Sequence, residues 1–152
     1  MVATTGIASV TSQLVMIREF LSLFSGNEFL ISAVLFIWLF LGGIGTLVDR
    51  FCQWISPGIW AISCACFLLC VLGPIQVVAA REFSHVLFLT GSARGFYPIL
   101  GFVLAVSAPY CLLVGWLLPF CLRGAKQMDP QFSTTRIYMA DNAGDVGGGA
   151  LF

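Results

Sequence analysis

The sequence predicts an all-α fold: a polytopic transmembrane helix bundle with four full spans and a truncated fifth helix. Three observations lead there. Hydrophobic residues make up 59% of the 152 and charged residues only 9%, against roughly a quarter charged in ordinary soluble domains. Apolar runs recur at the length of about twenty residues that a helix needs to cross hydrocarbon. The stretches between them are too short to hold a soluble domain, so residues 1–152 read as one transmembrane domain, the N-terminal part of a larger bundle.

The first run covers about 6–24. It lacks a basic region ahead of a short apolar core and a small-residue cleavage site, so it is expected to stay in the protein rather than act as a removable signal. The second run, about 29–48, carries Gly42, Gly43 and Gly45, which allow close approach of a neighbouring helix. The third, about 58–80, and the fourth, about 96–122, contain Pro74 and Pro109. Each proline removes a backbone donor and clashes with the preceding turn, so each is expected to kink its helix. The fifth, about 137–152, has about sixteen residues and would not span alone. Gly144 and Gly148 give it a second small-xxx-small packing face.

Polar turns separate these runs at 25–28, 49–57, 81–95 and 123–136. Within the longer loop, residues 83–89 are apolar but too short to cross, and are expected to lie at the interface or fold back beside the bundle. One side of the bundle collects Arg50, Arg123, Lys126 and Arg136, while the other has Arg81 and Arg94. The excess of cations places the N-terminus in the cytoplasm of a cell whose inner membrane the chain crosses several times. Lys plus Arg and Asp plus Glu are equal at 7 each, so no net field attracts nucleic acid. The expected partners are the lipid bilayer and other membrane subunits or the remainder of a longer chain.

The residues that could carry chemistry form a candidate intramembrane polar cluster. Tyr138, Asp141, Asn142 and Asp145 recur at steps of three and four, which puts them on one helix face. The first run adds Gln13, Arg18 and Glu19. An ionisable group within a span is costly without a partner. Arg18 has two fates: to snorkel toward the headgroups on its long stem, or to turn inward and pair with Asp141 or Asp145.

Other chemistries find no support. The six cysteines (52, 64, 66, 70, 111 and 121) have no C-x-x-C spacing and read as small apolar packing residues. His85 is the single histidine, so neither a metal centre nor a hydrolytic triad is assembled, although His85 could donate one ligand to a shared site. The glycines of DNAGDVGGGA lack the strand that precedes a phosphate loop. No cofactor is implied.

Three blocks in order, GIASVTSQLVMIREFLSLFSGNE, VGWLLP and YMADNAGDVGG, resemble the membrane region of the spermidine synthase-like, transporter-like integral membrane proteins, which are often fused to a polyamine-synthase domain. Gln13, Arg18, Phe24 and Gly26 stand at that family's first-helix positions, and Gly115, Pro119, Tyr138, Asp141, Gly144 and Gly148 at its later ones. Asp145 departs from the pattern, where a small residue is common. The resemblance implies a non-catalytic, membrane-anchoring bundle that works as a complex subunit. The chain holds no aminopropyltransferase domain, so the family's synthase chemistry does not carry over to it. Two alternatives stand beside that reading: half of a transporter for a small polar or cationic solute, and the membrane part of a polyamine synthase whose catalytic domain lies elsewhere.

Overall fold

The computed structural model describes residues 2–24, 28–52, 54–87, 95–129, 131 and 133–152. Five helices follow one another: α1 Val2–Leu23, α2 Glu28–Phe51, α3 Ile59–Leu87, α4 Phe96–Met128 and α5 Thr134–Leu151. The described residues contain no strand. Gly26, Arg94 and the turns around them lie outside the described residues, as do positions 88 and 89.

Three helices, α2, α3 and α4, are both long and apolar enough to cross a membrane. With 22 residues, α1 has the length, about 33 Å, but its threonines, serines and charged residues set it apart in composition. The expected loop from 81 does not exist as such: α3 runs on to Leu87, carrying Arg81, Phe83 and His85 on helix. No glycine or proline interrupts EFSHVL, so nothing stops the helix there. The α4 helix likewise continues past 122 to Met128 and contains Pro109 and Pro119 within it.

Glycine contacts reveal the packing. A Cβ at Gly144 would meet the backbone of Ala3, and one at Gly148 would lie 2.8 Å from the carbonyl of Ile7. Residue numbers rise together on both helices, so α1 and α5 run parallel and touch backbone to backbone. Gly115 abuts the carbonyl of Gly42, and Gly45 abuts that of Leu112; with Phe29 against Phe96 at one end and Asp49 bonded to Arg123 at the other, α2 and α4 also run parallel. Gly45 thus faces α4, and Gly144 and Gly148 face α1, whereas Gly42 meets α4 through its carbonyl and a Cβ there would enter open space. Contacts of Gly124 with Ile62 and of Gly73 with Tyr110 set α3 antiparallel to α4.

Apolar burial fills the rest. One core gathers Met16, Phe20, Val34, Ile37, Phe102 and Val103 from α1, α2 and α4. A second joins Ile62, Leu69, Leu117 and Phe120 between α3 and α4. Trp38 packs against both cores and its ring lies 5.6 Å from that of Tyr110.

Candidate functional site

The two glycine-zipped pairs, α1 with α5 and α2 with α4, do not close completely on each other. A cavity of about 260 Å³ remains between them, and both Asp141 and Asp145 line it. Thr5 and Ser9 from α1 and Thr46 from α2 add hydroxyls to its wall, and Trp38, Leu69 and Leu117 supply its apolar surface. The position follows from the sequence. Gly144 and Gly148 press one stripe of α5 against α1, and the carboxylates, each three residues before one of these glycines, are turned to its edge. The Thr46 hydroxyl donates to its own helix, to the carbonyl of Gly43 at 2.7 Å, and Thr5 does the same to Val2 at 2.6 Å. Each hydroxyl oxygen therefore keeps acceptor capacity.

The predicted polar cluster separates into parts. Asp141 and Asp145 reach the cavity, whereas Tyr138 and Asn142 on the same stripe are exposed at its outer edge. Gln13, Arg18 and Glu19 lie further along α1. Gly6 sits against Asp141 and Asp145, so Arg18, twelve residues on, is about 18 Å away along the axis. The structure does not pair Arg18 with either aspartate. Arg18 is exposed and joins no salt bridge among the described residues. Its neighbour Glu19 takes a bidentate pair from Arg81 of α3, at 2.6 and 2.8 Å.

Sequence reasoning did not find that pair, nor the pair at the other end of the bundle. There Arg123 of α4 donates to both carboxylate oxygens of Asp49 on α2, at 2.6 and 3.0 Å. The same guanidinium lies over the ring of Phe120 and reaches the carbonyl of Ile55. Asp49 is buried; it is satisfied as a buried carboxylate must be. By contrast, Asp141 and Asp145 have no cationic partner among the described residues.

A third polar group lies near the middle of α1, α3 and α4. The Gln76 amide donates to Ser12 at 2.7 Å and the Tyr110 hydroxyl donates to the carbonyl of Ala8 at 3.0 Å. Thr5, Ser9 and Ser12 recur at steps of four and three, a polar stripe along α1 that could have been read from the sequence.

No group of three or more His, Cys, Asp or Glu gathers to hold a metal among the described residues. His85 is exposed in the last turn of α3. Cys111 and Cys121 are buried as packing residues, and all six cysteines are free.

No family model, curated protein or solved structure matches this chain.

Proposed function

We propose that this chain is a multi-pass membrane bundle forming half of a transporter for a small cationic solute, with the cavity at Asp141 and Asp145 as its binding site. The observation that carries this reading is the pair of carboxylates, lining a cavity between helix pairs, with which no cationic side chain among the described residues forms a salt bridge. Carboxylates in such surroundings call for a cation, and hydroxyl oxygens of Thr5, Ser9 and Thr46 add neutral ligands of the kind that orient one. In this reading α1 is the fourth span, and the N-terminus is cytoplasmic in an inner membrane. The bundle itself is non-catalytic.

The test is a binding assay on the protein in lipid nanodiscs, with sodium, methylammonium and guanidinium as separate probes. At least one should raise the unfolding temperature saturably, as a ligand of the folded state must. Asp141→Asn combined with Asp145→Asn should weaken that binding at least tenfold. Absence of any response to all three, or equal responses from the doubly substituted protein, would overturn the proposal.

A second reading is favoured by the outer face of α5, where Tyr138, Met139, Asn142 and Val146 are all exposed. An asparagine there suits a helix–helix contact. On this reading the chain is a subunit of a spermidine synthase-like membrane assembly, with other helices covering α5. Asn142→Leu should then release co-purifying membrane subunits without altering cation binding; retention of every subunit would count against it.

A further inference from the structure

We infer that the groove between α3 and α4 is a binding site for an uncharged, single-chain alcohol dissolved in the membrane, independent of the carboxylate cavity. The groove encloses about 380 Å³, within the range of small-molecule sites. Its walls are almost wholly apolar, with Ile75, Ala79 and Phe83 on one side and Val106 and Pro109 on the other. Gln76 interrupts them. This residue is 5% exposed, its amide nitrogen donates one bond to Ser12, and its Oε1 has no hydrogen-bond partner. A buried acceptor left without a donor is costly, the more so where water is scarce.

The helices supply a second acceptor at the same level. Pro109 has no N–H to give the carbonyl of Ala105, four residues earlier, and Ala105 also lines the groove. The groove therefore asks its occupant for a hydrogen-bond donor. No carboxylate lines it, so a charged ammonium would be stranded there, whereas a hydroxyl would be satisfied. Shape narrows the class further. The lining runs along α3 from Leu72 to Leu87, about 22 Å, so the site is long and suits one extended hydrocarbon chain. Gln76 lies near the middle of α3, a depth that the headgroup of a phospholipid does not reach. A molecule wholly dissolved in the hydrocarbon layer can bring its hydroxyl there.

The experiment uses the full chain in phosphatidylcholine nanodiscs and two photoreactive probes: a hexadecanol carrying a diazirine beside its hydroxyl, and the same molecule as its methyl ether, which has no donor. Adducts are mapped by mass spectrometry. The alcohol should label the α3 and α4 peptides saturably and at least fivefold more than the ether, and excess unlabelled hexadecanol should compete it away. Gln76→Leu should reduce alcohol labelling to the ether level. Equal labelling of the unsubstituted protein by the two probes would overturn the inference and point to a bound water or bulk lipid at Gln76. The contrast between probes needs no variant, so it decides the matter even if Gln76→Leu does not fold. Ala79→Trp, which fills the groove and leaves Gln76 in place, should abolish labelling by the alcohol; undiminished labelling would also overturn it.

Discussion

At the scale of single residues, the two ion pairs differ in what surrounds them, and their removal should differ accordingly. Arg81 is 59% exposed in its pair with Glu19, whereas Arg123 is 26% exposed and its partner Asp49 only 9%. Exposed pairs contribute little, so Arg81→Ala should leave the unfolding temperature nearly unchanged. Arg123→Ala strands a buried carboxylate and should cost about 2 kcal/mol, somewhat less than a fully buried pair because water reaches the guanidinium. Adding Asp49→Asn should recover part of the loss, since it is the unpaired charge that destabilises. Thermal unfolding in mild detergent measures all three, and strictly additive effects of Arg123→Ala and Asp49→Asn would refute the pairing. The aspartates of the cavity should behave in the opposite way: with no salt-bridge partner among the described residues, they should gain stability when neutralised, so Asp141→Asn should raise the unfolding temperature in the absence of ligand.

At the scale of helices, the glycines that matter are those against a neighbour's backbone. Gly115→Ala and Gly144→Ala would force a methyl into a carbonyl of the facing helix and should cost about 2 kcal/mol each, as overpacking does. Gly43→Ala and Gly101→Ala meet open space and should leave stability unchanged or slightly raised; a similar loss at all four would contradict the packing. Helix positions and packing faces were legible in the sequence, because apolar length and small-residue spacing are local signals. Gly45, Gly144 and Gly148 were found that way, whereas Gly42, expected with them, has open space where a Cβ would stand. Partners were not legible. Whether α1 runs parallel or antiparallel to α5, and in which register, is decided by contacts between residues more than a hundred positions apart, and that register carries Arg18 away from Asp141. Asp49 with Arg123 and Glu19 with Arg81 were hidden for the same reason. The end of α3 was misjudged because charged residues at 81 and 82 resemble a loop, although they are good helix formers.

At the scale of the whole molecule, aromatic residues mark both ends of the apolar belt. Trp54 and Trp60 are exposed beside the α2–α3 connection and Tyr97 is exposed at the start of α4, positions suited to headgroup regions. From Tyr97 to Arg123 along α4 is about 39 Å, close to a bilayer with its interfaces. The proposed orientation makes a direct prediction. In a cysteine-free background, Gln127→Cys should react with a membrane-impermeant maleimide in inside-out vesicles and not in right-side-out ones; the reverse pattern would invert the topology. The parallel pairing of α1 with α5 also bears on how the chain is made. The surface of α1 around Ala3 and Ile7 is completed only by Gly144 and Gly148, which leave the ribosome well over a hundred residues later, roughly ten to thirty seconds at ordinary rates of synthesis. Throughout that interval the face of the first helix formed by Ala3, Gly6, Ile7 and Val10 stays without its helical partner, so lipid or the cellular insertion machinery must cover it until α5 arrives.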